Sequence, residues 1–205
     1  MLPAKADVTH LPLVLASTSP YRRELLQRLG LPFEVLAPEV DESRRPGESP
    51  QALVQRLAEA KARAAAAAFP AALIIGSDQV ACVDDEILGK PGDRARAIAQ
   101  LSRASGRAVV FETGLCLFNS ASGRAQVVRE PFRVEFRSLT PAQIAGYVDR
   151  ERPFNCAGSF KSEGLGIALF HRLVGDDPSA LVGLPLIRLV AMLAAEGVEV
   201  LTPPA

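Results

Sequence analysis

An α/β fold built on a mixed sheet is the class this sequence predicts. Three observations carry the prediction. In the first hundred residues short apolar runs alternate with helical segments, the order expected of β–α units. A turn-rich "SASGR" then joins two long strand-like runs, which reads as a hairpin and therefore an antiparallel pair. No internal repeat, low-complexity linker or clear domain border interrupts the chain.

The elements follow in order. "LPLVLA" is a short apolar run with β-branched Val14, a buried strand. Ser19 and Pro20 open a helix, because Ser caps free N–H groups and Pro lacks only an N–H that the first turn does not need. Leu25, Leu26 and Leu29 give that helix an apolar face, and Gly30 ends it. Residues 33–37 form a second strand that runs into a loop with Asp41 and Glu42. "SPQALVQRLAEAKARAAAAAF" is a strong helix, capped by Ser49, opened by Pro50 and filled with alanine. "ALIIGSDQVACV" is a β-rich run interrupted at Gly76, after which "DDE" turns the chain into "ILGKP". "GDRARAIAQLSRASG" is a helix ending near Gly106. In the second hairpin strand Phe132, Val134 and Phe136 alternate with charged residues, so one face is buried. "TPAQIAGYVDRE" is a helix capped by Thr140, which with the hairpin forms an expected second lobe. "LGIALFHRLVGD" reads as a strand, and "VGLPLIRLVAMLAAEG" as the final helix.

Composition narrows the function classes. The chain has 205 residues, 48% hydrophobic and 22% charged, the balance of a globular protein with a sizeable core. Lys plus Arg and Asp plus Glu number 23 each, and a formal net charge of zero argues against a protein built around long nucleic acid. A small anion held by a few local cations stays open. Cys82, Cys116 and Cys156 are odd in number, far apart and without a C-x-x-C, which disfavours a disulfide framework or a thiolate metal site and points to a reducing, cytoplasmic compartment. His10 and His171 are isolated, so a histidine-rich metal site is not expected. No apolar run reaches membrane-spanning length, and "MLPAKADVTH" reads as a loose tail rather than a signal peptide.

The polar residues collect at strand ends and loops. "LASTSPYRRELLQRLG" is strand, tight turn and helix. A helix N-terminus carries unpaired N–H donors and about half a positive charge, so it attracts anions. Ser17 and Ser19 add hydroxyls, and the placement of Arg22 and Arg23 against the helix dipole is explained by a bound anion. Asp78 follows a buried strand directly, and carboxylates are rarely buried without a partner or a task. Lys90 sits in the rigid turn "LGKP", Lys61 lies within the long helix, and Glu42 stands in a loop. This mixture suits phosphoryl chemistry: cations neutralise phosphate oxygens while carboxylates hold a divalent metal or activate water. Taken singly, each of these side chains also fits a solvated surface position. "RPFNCAGSFKSEGLG" adds a polar, glycine-rich loop of the kind that brings backbone close to a ligand.

Together these blocks resemble the Maf family of nucleoside triphosphate pyrophosphatases. "LASTSPYRRELL", "EVDE", "RLAEAKA", "GSDQV", "GKP", "CAGSFKSEGLG" and "SALVGLPL" occur in that family's order, from about Leu13 to Gly197. "GSDQV" and "GSFKSEG" are similar to the 7-methyl-GTP subfamily; the dTTP/UTP subfamily carries Arg, Thr and Gln where this chain has Tyr21, Gln79 and Glu163. The resemblance implies an elongated, two-lobed Maf/ITPase-like fold with a mixed twisted sheet and a central cleft. It implies a single catalytic domain over 12–201 behind a flexible tail over 1–11. It also implies a hydrolase, dependent on Mg²⁺ or Mn²⁺, that cuts a nucleoside triphosphate between its α and β phosphates and so clears modified nucleotides. Carried over by position, Asp78 is the proton acceptor and, with Glu42, a metal ligand. Ser17, Arg22, Lys61 and Lys90 bind the triphosphate, and Tyr21, Gln79 and Glu163 set base specificity. The expected partner is a small nucleotide, with no membrane and no long nucleic acid; homodimerisation is left open.

Base chemistry supports the subfamily independently. Guanine offers a ring N–H and an exocyclic NH₂, two donors that one carboxylate such as Glu163 accepts together. Methylation at the 7-position makes the purine cationic, which favours an aromatic stacking partner such as Tyr21 and a nearby negative charge. Two alternatives remain: a pyrophosphatase for dTTP, UTP or another nucleotide, and a nucleotide-binding regulator of septum formation.

Overall fold

The computed structural model describes residues 11–84 and 86–201. The expected tail over 1–11 lies outside them except for Leu11, which packs partly buried against the core. The chain runs β1 (Leu13–Ala16), α1 (Pro20–Gln27), β2 (Phe33–Leu36), α2 (Pro50–Ala65), β3 (Leu73–Val83), β4 (Glu86–Leu88), α3 (Arg94–Ala104), β5 (Ala108–Asn119), β6 (Arg124–Phe136), α4 (Pro141–Glu151), β7 (Phe170–Val174), α5 (Pro178–Val182) and α6 (Leu186–Ala195). Among the described residues no helix is long and apolar enough to cross a membrane.

The strands form one mixed sheet of order β2-β1-β3-β5-β6-β7, with β4 added to β3. β1 pairs in parallel with β2 and β3, while the pairs from β3 through β5 and β6 to β7 are antiparallel. β5 pairs with β3 from Leu73 to Cys82, so β1 and β4 must share its other edge. β1 takes Leu73–Gly76 and β4 takes Ala81–Val83. Residues 77–80 between them have no strand neighbour on that side. The sheet parts there, and the cleft opens at the parting.

Three apolar clusters explain the halves on either side. Around β1 and the start of β3 both faces are covered: α1 and α6 bury Leu25, Leu26, Leu189 and Leu193 on one, and α2 buries Ala58, Ala62 and Ala65 on the other. At the β4 end, α3 and α4 pack Leu101, Ile144 and Val148 on Val83, Val109 and Val134. The alternation read at Phe132, Val134 and Phe136 is present, with all three buried.

Four expectations need correction. Asp78 does not follow a strand but lies within β3, which continues to Val83. Gly76 does not interrupt the strand; β3 runs through it. The glycine answers a tertiary demand, since a Cβ there would lie 2.0 Å from the Ala58 carbonyl oxygen of α2. Gly114 on β5 is the same case, its Cβ position lying 2.1 Å from the Val54 carbonyl oxygen. The expected strand over "LGIALFHRLVGD" is half 3-10 helix, Leu165–Leu169, and becomes β7 only at Phe170. The final helix is preceded by a separate short one, α5, which ends at Gly183 in a left-handed conformation.

Candidate active site

Strand alternation sorts the residues of the parting. Side chains along β3 point to opposite faces in turn. Gly76 and Asp78 face α2, whereas Ser77 and Gln79 face α5. On α2 the inward stripe reads Leu53, Val54, Leu57, Ala58, Lys61, Ala62 and Ala65, which is helical spacing with one cation in it. That position drives Lys61 down onto the sheet. Its Nζ lies 2.6 Å from Asp78 Oδ1 and 2.7 Å from Glu42 Oε1. Lys61 and Asp78 are buried, and a buried pair of this kind holds because each charge compensates the other. Glu42 reaches in from the β2–α2 loop, its carboxyl held below the ordinary range chiefly by the Lys61 hydrogen bond.

Asp78 Oδ2 accepts no hydrogen bond from the described residues, yet no buried side-chain N or O atom among them lacks a partner. That oxygen is therefore exposed to the cleft. Asp78 and Glu42 meet at the Lys61 ammonium and are the hard carboxylate donors of this part of the cleft, the oxygen chemistry that Mg²⁺ or Mn²⁺ takes. No cluster of three His, Cys, Asp or Glu occurs among the described residues. An ion there would take its remaining ligands from substrate oxygens and water.

The β1–α1 turn forms the adjoining wall as its sequence predicts. Ser19 caps α1 by accepting the Arg22 N–H, and Pro20 stands in the first turn. Buried Ser17 accepts the Ser19 N–H at 3.1 Å. Arg22 donates through Nε to the Gly183 carbonyl at 2.8 Å, and its Nη1 lies 3.5 Å from Ser17 Oγ. Burial pushes the guanidinium down from its ordinary value, opposed by Asp78 and Glu42. Lys90 is exposed on the rim and makes no ion pair with the described residues.

The opposite wall is the loop over 152–166. Phe160 fixes it, meeting Phe111, Phe136 and Phe170 edge to face at centroid distances of 5.1, 5.4 and 4.8 Å. The Lys161 N–H donates to Tyr147 Oη, and the Leu165 N–H to Glu151 Oε2. Cys156 and exposed Glu163 then face the cleft, the Glu163 carboxylate accepting from Ser162 Oγ at 3.0 Å. Tyr21 meets them from α1, its phenol sharing a hydrogen bond with the Cys156 thiol. Burial above all, then Cys156 and the acidic Glu163 and Glu151, raise the phenol to about 12. Gln79 donates its amide to Ala180 O at 2.7 Å and Thr113 Oγ1 at 2.9 Å, so its free polar atom is the acceptor Oε1.

One cavity of about 870 Å³ is lined by all nine residues singled out in the sequence, Ser17, Tyr21, Arg22, Glu42, Lys61, Asp78, Gln79, Lys90 and Glu163. Two lining residues escaped the sequence reading. Arg44, whose Nε donates to the Glu48 carbonyl, follows Glu42 by two residues in "DESRR", a cation beside a carboxylate. Cys156 opens "CAGSFKSEG", and nothing in its spacing marks it.

Comparison with known proteins covers nearly the whole chain. A family model described as Maf-like protein matches residues 12–196. The 7-methyl-GTP pyrophosphatase of Nitrosococcus oceani is 60% identical over 200 residues, covering 98% of this chain and 99% of that protein. Those of Alcanivorax borkumensis and Pseudomonas aeruginosa are 63% and 60% identical over 187 and 188 residues, covering 91% and 92% of this chain and 95% and 98% of theirs.

Proposed function

The chain belongs to the Maf-like protein family, and from that premise we propose that it hydrolyses 7-methyl-GTP to 7-methyl-GMP and pyrophosphate. The observation that carries the proposal is the division of one cleft into a cationic end and an aromatic–acidic end, with a carboxylate between them. At the first end Arg22 and Lys90 neutralise phosphate oxygens, and Lys61, which uses two of its three N–H donors on Asp78 and Glu42, retains one for the substrate. At the other end Tyr21 and Glu163 face a cationic base. The names of the relatives at 53–63% identity support the same substrate.

The chemistry asks little of the protein beyond placement and charge. Asp78 takes a proton from water through its cleft-facing oxygen. The oxygen so activated bonds to the α phosphorus, the bond to the bridging oxygen breaks, and pyrophosphate leaves. Arg22 and Lys90 meet the charge that grows on the leaving oxygens. Glu42 and Asp78 would hold a divalent ion, which when bound would supply further positive charge to the phosphates.

A turnover panel tests the reading. With magnesium or manganese present, pyrophosphate release is expected to be fastest from 7-methyl-GTP, slower from GTP and slowest from UTP and dTTP. EDTA abolishes it, and added metal restores it. Preference for UTP or dTTP would overturn the assignment of the base end, and absence of hydrolysis on the whole panel would leave a nucleotide-binding protein.

A further inference from the structure

The Gly183 carbonyl stands at a junction that none of the roles above uses. It accepts Arg22 Nε at 2.8 Å and lies 2.8 Å from Ser77 Oγ, which is also 2.9 Å from the Gly114 carbonyl. Ser77 is fully buried on β3 beside Asp78. Gly183 closes α5 with a φ of +113°, a conformation that side chains rarely adopt. A Cβ there would lie 3.3 Å from Arg22 Nε and 3.7 Å from Nη2. The last carbonyls of a helix have no intrahelical partner. Here the Ala180 carbonyl takes the Gly183 N–H and also accepts from Gln79 and Thr113, while the Gly183 carbonyl takes Arg22 and shares the Ser77 hydroxyl with Gly114. Asp177 anchors the segment by accepting the Ser179 and Ile187 N–H groups at 3.0 and 2.8 Å.

We propose that Gly183 and Ser77 are positioning residues for the phosphate-binding arginine: the Gly183 carbonyl, held by Ser77, takes the Nε–H of Arg22 and turns both Nη groups toward the cleft. A guanidinium has five donors in a rigid fork, so fixing one edge aims the rest. An arginine already held in place surrenders less side-chain freedom when an anion arrives. The geometry also explains why glycine stands at 183: any side chain meets the guanidinium it is meant to aim. The inference rests on the proposed reading only in taking the cleft ligand to be a polyphosphate.

A double-mutant cycle read by calorimetric titration with inorganic tripolyphosphate tests it. Gly183→Ala is expected to weaken tripolyphosphate binding about tenfold and to raise KM equally for 7-methyl-GTP and UTP. Ser77→Ala, which adds no backbone strain, is expected to weaken it about threefold. In an Arg22→Ala background neither substitution should add more than about twofold, because the group they aim is gone. A merely structural role would weaken binding by the same factor in both backgrounds, and that result overturns the proposal, as does unchanged binding in a folded Gly183→Ala protein. If Gly183→Ala does not fold, the Ser77→Ala half of the cycle decides by the same criterion. Failure of the unsubstituted protein to bind tripolyphosphate would overturn the polyphosphate reading and this inference together. Binding that depends on Arg22 without coupling to Ser77 or Gly183 would leave the former standing and end the latter.

Discussion

On one side of the cleft Ser17 stands at the end of β1, Arg22 and Lys61 on helices and Asp78 within β3, each fixed by backbone pairing within a few residues. On the other, Cys156 and Glu163 ride on a loop tied down by side chains, through the ring of Phe160, the phenol of Tyr147 and the carboxylate of Glu151. The first wall is polar by charge, the second by one acid and one thiol, and the phenol of Tyr21 reaches toward it from α1. The difference matches what each has to recognise. A triphosphate presents the same charge whatever base it carries, so its wall belongs on the rigid sheet. A base varies, and loops change more readily than sheets without disturbing a core.

Substitutions on either wall sharpen that contrast. The largest effect is expected at Asp78. Asp78→Asn keeps the shape and leaves an oxygen for Lys61, but it takes up no proton. Turnover should fall by about a hundredfold or more for every nucleotide while the fold survives. Steady-state kinetics on 7-methyl-GTP and UTP check this; a change of base preference would break the division between the walls.

A smaller and selective effect is expected from the loop. Glu163→Gln removes the negative charge and exchanges one acceptor oxygen for a donor. Exposed carboxylates are screened by water, so the loss for 7-methyl-GTP relative to UTP should be about tenfold, a little over 1 kcal/mol. The ratio of kcat/KM values measures it, and an unchanged ratio would remove Glu163 from base recognition.

The smallest effect is spectroscopic. The chain has two tyrosines, and burial raises both phenols, Tyr21 to about 12 and Tyr147 further. At pH 10 an ordinary tyrosine is about half ionised. An alkaline titration followed by ultraviolet absorbance should therefore show little tyrosinate until well past pH 10. The unfolded chain releases these protons first, so it binds fewer than the native state above that pH. The stability the phenols lend is whole below pH 10 and is lost as pH rises through their native values. Cys156→Ala should let Tyr21 ionise earlier, and no change would show that the thiol does not hold the ring.

These contrasts also mark what the sequence makes legible. The β1–α1 turn and α2 are readable because Ser19, Ser49 and the prolines after them act within one helical turn, and capping is a local force. Asp78 and Lys61 are readable as suspicious residues, but their pairing needs the helix and strand to be packed. Gly76 misleads because it looks like a break in a strand, whereas its reason lies in the backbone of α2, which packs across β3. The segment over 165–169 has strand-like composition, yet its backbone serves the loop contacts around Glu151 and Lys161, so it winds into a 3-10 turn. α5 is five residues long and too short for periodicity to announce. Cys156 and Gly183 matter through partners more than a hundred residues away, which no local pattern records.

Gly76 and Gly114 carry a last consequence, which is one of clearance. Neither brings a functional group, yet each leaves empty the thickness of one methyl between the sheet and α2, where the backbone of the helix already sits. A side chain at either place would act as a shim, lifting the helix by an ångström or more and costing about 1–3 kcal/mol in packing alone. Lys61 bridges to Asp78 at hydrogen-bond distance, and a gap of that size opens the bridge. The spacing between the Asp78 carboxylate and the Lys61 ammonium is thus machined by two absent side chains, and the tolerance of that contact is set in the layer beneath it.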